Sequence, residues 1–129
     1  LSGDYRGNGQ RILVVEDEIG VRHVTVRELV SHNYDVLEAG TAEEARKAFD
    51  EAGGKVDMIL SDIVLPDQNG ILLSEDIHQR FPDIKILLTS GYADQQSSWA
   101  EVVEKGIPFL QKPYSITELL KIVKEVLEK

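Results

Sequence analysis

The chain has 129 residues, of which 42% are hydrophobic and 29% are charged, as is typical of one globular domain. It contains no cysteine, which excludes disulfides, cysteine-bound zinc and a thiol nucleophile. The net charge of -9 opposes binding to the phosphate backbone of nucleic acids. No apolar run reaches the roughly 18 residues that suggest a membrane span. We therefore expect this domain to contact neither nucleic acid nor membrane.

Residues 1–10 include three glycines and little apolar periodicity, which predicts a linker or an expression remnant. The domain is predicted to span residues 11–129, where short apolar runs alternate with longer helical patterns. Strands are predicted around 12–15, 36–37, 56–60, 84–88 and 107–110. Helices are predicted over 19–32, 41–52, 70–81, 94–105 and 115–128.

The strand candidates are apolar at consecutive positions, as in Ile-Leu-Val-Val at 12–15, which indicates strands covered on both faces of a parallel sheet. Two helix starts carry a capping box, Thr41 with Glu44 and Ser115 with Glu118. The prediction is a doubly wound α/β fold with a five-stranded parallel sheet and five helices. Such sheets bind ligands at the carboxyl ends of their strands.

The predicted strand ends are polar. Glu16 and Asp17 follow the first strand and Asp62 follows the third, so these carboxylates converge if the two strands are neighbours. Three close carboxylates raise one another's pKa unless a cation is present. A small oxygen-lined site suits Mg²⁺, so the three acids predict a magnesium site. The alternative to a metal site is that these acids lie in ordinary solvated turns.

Four motifs together resemble the receiver domain of two-component response regulators over nearly all of residues 11–129. They are Ile-Leu-Val-Val-Glu-Asp-Glu at 12–18, Asp-Ile-Val-Leu-Pro at 62–66 with Gly70, Leu-Leu-Thr-Ser-Gly-Tyr at 87–92, and Gln-Lys-Pro-Tyr at 111–114. The resemblance implies the flavodoxin-like receiver fold with strand order 2-1-3-4-5. It also implies a cis peptide bond between Lys112 and Pro113.

The resemblance assigns roles to individual residues. Asp62 matches the phosphoacceptor, whose carboxylate attacks phosphorus. Asp17 and Asp62 match direct Mg²⁺ ligands, Glu16 matches a ligand that acts directly or through water, and Val64 matches the position that lends a backbone carbonyl to the metal. Lys112 and Thr89 match the residues that bind the phosphoryl oxygens.

Phe109 matches the aromatic residue of the conformational switch, together with Thr89, although ordinary core packing is an equal alternative. Val64 and Gly91 match positions whose side chains help to orient the hydrolytic water. The three histidines, His23, His32 and His78, form neither a metal nor a triad pattern and receive no role.

The implied function is to take a phosphoryl group from a phosphohistidine onto Asp62 in a Mg²⁺-dependent step and to signal by a conformational switch. The implied partners are a histidine kinase or phosphotransfer domain, with a weak homodimer through the fourth helix, fifth strand and fifth helix. The implied location is cytoplasmic. The runs at 87–93 and 7–10 resemble receivers at the C-terminus of hybrid sensor histidine kinases, although single-domain regulators share parts of both. No output domain is expected after the fifth helix, because the sequence ends at Lys129.

Two other functions are considered. A small Mg²⁺-dependent phosphatase also uses an aspartate nucleophile but needs a second Asp two residues later, where this chain has Val64. A flavodoxin-like cofactor carrier needs a Ser-, Thr- and Gly-rich phosphate loop after the first strand, where this chain has the acidic residues 16–18. We therefore expect a receiver domain that is not an enzyme and catalyses only its own phosphorylation and dephosphorylation, although a parent hybrid chain would be a histidine kinase.

Overall fold

The computed structural model describes residues 5–91 and 96–129. The strands are β1 (Arg11–Val15), β2 (Asp35–Ala39), β3 (Met58–Asp62), β4 (Lys85–Ser90) and β5 (Phe109–Gln111). The helices are α1 (Ile19–Ser31), α2 (Ala42–Glu51), α3 (Gly70–Arg80), α4 (Gln96–Lys105) and α5 (Ile116–Leu127). These ten elements confirm the predicted order, although residues 94 and 95 of the predicted fourth helix lie outside the described ranges. None of the helices in those ranges is both long and apolar enough to cross a bilayer.

The sheet is parallel throughout, with strand order β2-β1-β3-β4-β5. This confirms the doubly wound fold and the order 2-1-3-4-5. β1 pairs with β3 so that Val15 lies opposite Ser61. The carboxyl ends of these two strands therefore meet at one edge of the sheet.

Three strands begin later than their apolar runs suggest. Val56, Ile84 and Ile107 precede β3, β4 and β5 rather than opening them. Val56 and Ile84 are only 8% and 5% exposed, so their apolar character serves core packing outside the ladder.

The core has two main layers, one on each face of the sheet. On one face, Phe49 of α2 and Leu73 and Ile77 of α3 pack against the strands. On the other, Leu29 of α1 joins an apolar stripe of α5. Burying one such side chain contributes about 1.5–3 kcal/mol, and this burial holds the strand ends in fixed positions.

The two predicted capping boxes differ in detail. Ser115 and Glu118 form the reciprocal pair at the start of α5. At the start of α2, Thr41 accepts a hydrogen bond from the Glu44 N–H at 3.0 Å, but Glu44 accepts from the N–H of Gly40 at 2.7 Å. The reciprocal half of that predicted box is wrong by one residue, because the Glu44 carboxylate reaches past the cap to the amide before it.

The segment before β1 lies against the turn between α1 and β2. The Gly7 N–H donates to the His32 carbonyl oxygen at 2.7 Å, and the Gly9 N–H donates to that of Asn33 at 2.8 Å. The Asn33 side-chain amide returns a hydrogen bond to the Gly7 carbonyl oxygen at 2.8 Å. Residues 5–10 thus contact the folded core, and the domain start at Arg11 stays a prediction.

Candidate functional site

Three carboxylates meet at the edge of the sheet where β1 and β3 end. Glu16 and Asp17 follow β1 directly, and Asp62 is the last residue of β3. One oxygen from each carboxylate lies within 4.8 Å of the others. Glu16 and Asp62 are 5% and 8% exposed, whereas Asp17 is exposed. The structure therefore brings together the acidic residues that the sequence singled out.

The loop after β1 is held by an arginine that sequence analysis did not identify. Arg22 of α1 donates from Nη1 to the Glu16 carbonyl oxygen at 2.8 Å and from Nε to Oε1 of Glu38 in β2 at 3.2 Å. A side chain at Gly40 would lie 2.8 Å from the same guanidinium. Only position 22, one turn inside the first helix, could have suggested this contact in advance.

The loop after β3 folds back on Asp62. The Val64 N–H donates to Oδ1 of Asp62 at 3.2 Å. Val64 also forms an antiparallel β-bridge with Asn69 outside the sheet. The Gly70 N–H donates to the Ile63 carbonyl oxygen at 2.7 Å. A Cβ at Gly70 would overlap the carbonyl oxygen of Asp62. Glycine is required there because α3 begins in contact with the Asp62 backbone.

Lys112 supplies the cation of the pocket. Its N–H donates to the Ser90 carbonyl oxygen at 2.8 Å, and the cis peptide bond to Pro113 is present as expected. The Lys112 Nζ donates to Oε1 of Glu16 at 2.6 Å and to Oδ2 of Asp62 at 3.0 Å. Burial by itself lowers the pKa of Lys112, but the two carboxylates outweigh it and raise that pKa. The ammonium group therefore stays charged.

The charge of Glu16 is compensated only in part. Burial raises the pKa of Glu16, hydrogen bonding to Lys112 lowers it, and the charge of Asp62 raises it again, so that the net shift is upward. Ionised Glu16 is thus less stable in the pocket than in water. A bound cation is the kind of partner that removes this cost.

Thr89 and Phe109 lie on the β4 and β5 side of the pocket. Thr89 is the register partner of Asp62 in the sheet and is 3% exposed. Phe109 pairs with Leu88 and packs, partly buried, against the small cluster that includes Val102 of α4. Phe109 therefore contacts the core beside the strand that carries Thr89, and both interpretations of it stay open.

The sequence profile of the response regulator receiver domain family matches residues 12–124 of this chain. The chain belongs to that family. The receiver domain is 41% identical over 118 residues to the sensor kinase CckA of Brucella abortus, covering 92% of this chain and 12% of that protein. Among the curated relatives compared, the share covered runs from that 12% to 50% for the regulatory protein AruR of Pseudomonas aeruginosa.

Solved structures agree with this assignment. A CheY-like receiver domain protein from Methanospirillum hungatei superposes with a TM-score of 0.83 at 30% identity, covering 92% of this chain and 94% of that one. The receiver domain of the hybrid histidine kinase CckA gives a TM-score of 0.75 at 33% identity, covering 91% and 98%. The family match favours the receiver function over the phosphatase alternative, and the half-exposed Val64 stands where that enzyme needs its second Asp.

Proposed function

We propose that this receiver domain accepts a phosphoryl group on Asp62 from a phosphohistidine. A carboxylate oxygen of Asp62 attacks phosphorus, the phosphorus–nitrogen bond breaks, and an acyl phosphate forms. The observation that carries the proposal is the contact of Lys112 Nζ with both Asp62 and Glu16 at 3.0 and 2.6 Å. It marks Asp62 as a buried carboxylate that already faces a fixed positive charge.

Receiver domains bind Mg²⁺ at an acidic pocket, and the donor set here fits that ion. Asp17 and Asp62 supply hard carboxylate oxygens, Glu16 supplies a third directly or through water, and the Val64 backbone carbonyl is the proposed fourth ligand. When bound, the ion supplies positive charge beside the phosphoryl oxygens. Asp17 is the exposed member of the acidic cluster, so it lies on the side from which the ion and the donor approach.

Lys112 and Thr89 complete the proposed site. The Lys112 ammonium moves from Asp62 to the phosphoryl oxygens, and the Thr89 hydroxyl donates a hydrogen bond to them. This hydrogen bond draws the Thr89 side chain inward. The inward movement frees space for Phe109 and changes the surface formed by α4, β5 and α5. The chemistry is limited to the domain's own phosphorylation and dephosphorylation.

The proposed donor is a histidine kinase or phosphotransfer domain. A cavity of about 650 Å³ adjoins Lys112 between α1 and the segment that precedes α5, and it includes Val21, Val24 and Tyr114. Ile19, beside it on α1, is 72% exposed. This apolar surface suits a protein partner that must bring its phosphohistidine to Asp62. The CckA relative supports an origin in a hybrid sensor histidine kinase.

A weak homodimer through α4, β5 and α5 is the proposed self-association. Val103 of α4 is 62% exposed and lines a shallow cavity with Phe109 of β5 and Ile122 of α5. Sedimentation velocity with and without acetyl phosphate and Mg²⁺ tests the dimer, which is excluded if the protein stays monomeric under both conditions.

Two further proposals concern nucleic acid and location. The net charge of -9 supports the absence of direct nucleic acid contact. The family supports a cytoplasmic location.

Intact mass spectrometry tests the phosphoacceptor. The wild type incubated with acetyl phosphate and Mg²⁺ should gain one phosphoryl group, and Asp62→Asn should gain none while keeping its circular dichroism spectrum. Asp83→Asn, which removes an exposed acid on the opposite edge of the sheet, is the matched control and should be labelled like the wild type. Labelling of Asp62→Asn at another residue would overturn the assignment.

A further inference from the structure

The loop between β3 and α3, residues 63–69, carries the Val64 carbonyl that is proposed to bind Mg²⁺, and the Val64 side chain contributes little packing to hold it. The Val64 side chain is 45% exposed. Its neighbours Ile63 and Leu65 are buried at 1% and 8% exposure, and Asn69 caps α3 by accepting from the Ile71 N–H at 2.6 Å. Both ends of the loop are therefore anchored to the core.

The middle of the loop, Pro66 to Gln68, is exposed or half-buried. Asp67 connects this stretch to the rest of the fold through its side chain. Oδ1 of Asp67 accepts from the Ala42 N–H at 2.8 Å, and Oδ2 accepts from the Glu43 N–H at 3.0 Å. Both amides belong to the first turn of α2, where N–H groups have no partner within the helix.

The arrangement favours an ionised carboxylate. The hydrogen bond from Ala42, followed by the one from Glu43 and the charge of Arg46, lowers the pKa of Asp67. The positive end of the α2 dipole acts in the same direction. Thr41 caps the next amide, that of Glu44, so α2 already has a cap of its own and Asp67 adds a connection between two elements.

We propose that Asp67 is a positioning residue for phosphoryl transfer. By tying the middle of the loop to α2, it holds the Val64 carbonyl in place for the metal and the Val64 N–H in place for Asp62. Groups that hydrogen-bond directly to metal ligands commonly change metal affinity by roughly ten- to a hundredfold when removed, and Asp67 acts one step further out, through the loop backbone, so the lower end of that range is expected. The inference rests on the proposed Mg²⁺ site.

The test compares Asp67→Ala with two control variants. Thr41→Ala removes a cap from the first turn of α2 without changing the loop at residues 63–69. Glu43→Gln removes a negative charge from that first turn. Mg²⁺ affinity is measured by calorimetry, the rate of labelling by acetyl phosphate is measured at limiting and saturating Mg²⁺, and the melting temperature reports stability. Asp67→Asn, which keeps one accepting oxygen, replaces Asp67→Ala if that variant is too unstable.

We expect Asp67→Ala to weaken Mg²⁺ binding by roughly tenfold and to slow labelling mainly at limiting Mg²⁺. Asp67→Asn should retain part of the affinity. Thr41→Ala should lower the melting temperature and leave Mg²⁺ affinity unchanged. Glu43→Gln should also leave Mg²⁺ affinity unchanged. Equal affinities for Asp67→Ala and the wild type, or an equal loss in Thr41→Ala, would overturn the inference. A wild type that binds no Mg²⁺ would instead contradict the proposed function.

Discussion

Lys112 donates a hydrogen bond to Glu16 at 2.6 Å, although the two residues are 96 positions apart in the chain. The same ammonium group lies 3.0 Å from Asp62, and the side chains of Lys112, Glu16 and Asp62 are only 19%, 6% and 10% exposed. Lys112 therefore offsets part of the negative charge of the two buried acids when no other cation is bound. This relation makes the stability of the metal-free protein depend on Lys112.

Lys112→Met should lower the free energy of unfolding of the metal-free protein by about 3 kcal/mol, because it leaves two buried carboxylates without their cation. Mg²⁺ should recover part of this loss, so its effect on the melting temperature should exceed that in the wild type. Urea denaturation and thermal melting with and without Mg²⁺ check this. Lys121→Met, which changes an exposed lysine of α5, is the control. Equal Mg²⁺ effects in Lys112→Met and the wild type would contradict the prediction.

Mg²⁺ should raise the melting temperature of the wild type, because the acidic pocket exists only in the folded state. At tenfold its dissociation constant, an ion that binds the folded state alone contributes about 1.4 kcal/mol. Asp17→Asn should abolish most of this effect, since Asp17 is the acid of the cluster that Lys112 does not contact in the described residues. Glu51→Gln on the exposed end of α2 should keep it. A wild-type melting curve indifferent to millimolar Mg²⁺ would rule out the proposed site.

The phosphorylated domain should lose its phosphoryl group slowly. Neither Val64 nor Gly91 offers a side chain that can orient a hydrolytic water, and such orientation normally raises the rate of in-line attack. The positions can accept larger groups, since Val64 is 45% exposed and a Cβ at Gly91 would meet nothing within 4 Å.

The double substitution Val64→Asn with Gly91→Glu should therefore accelerate decay. Phosphate release from the purified, phosphorylated domain without kinase is the measurement, and Val64→Leu is a control that adds bulk without a polar group. If the wild type decays as fast as the double variant, these positions do not limit hydrolysis.

Gly7→Ala should destabilise the domain by about 1–3 kcal/mol, because the new Cβ would overlap the buried ring of Tyr34 and overpacking costs that much. Gly20→Ala provides the opposite control. It lies in α1 with nothing within 4 Å of the new Cβ, so it should stabilise the helix by up to about 1 kcal/mol. Chemical denaturation distinguishes the two. A neutral Gly7→Ala would show that residues 5–10 contribute little to stability.

The Asp67 contact should appear in the acid limb of the stability curve. Because the folded protein lowers the pKa of Asp67 below its ordinary value of 3.8, its contribution is fully present above that pH. It is lost as the pH falls through the lowered pKa. The stability difference between the wild type and Asp67→Asn should therefore be constant near neutral pH and shrink in acid. A difference that stays constant through the acid limb would contradict the shift.

The sequence by itself determined the elements of this protein and the kinds of chemistry at its strand ends. Capping groups such as Ser115 with Glu118, the apolar stripe of α5 and the consecutive apolar residues of β1 act over a few residues, so their consequences can be inferred locally. The family motifs then indicated the strand order and the acidic pocket. The reciprocal box at Thr41 failed because a choice between two adjacent amides depends on side-chain geometry that no pattern encodes.

Only the tertiary structure decided how the loops around the pocket are held. Arg22 donates a hydrogen bond to the Glu16 backbone. Asp67 accepts one from Ala42 at the start of α2, which lies 25 residues earlier in the chain. Neither residue lies in a motif, and in the sequence each resembles an ordinary exposed charge. Their roles arise because parallel strands bring together loops that are distant along the chain, and a charged side chain there binds whichever unpaired backbone group the packing places within reach.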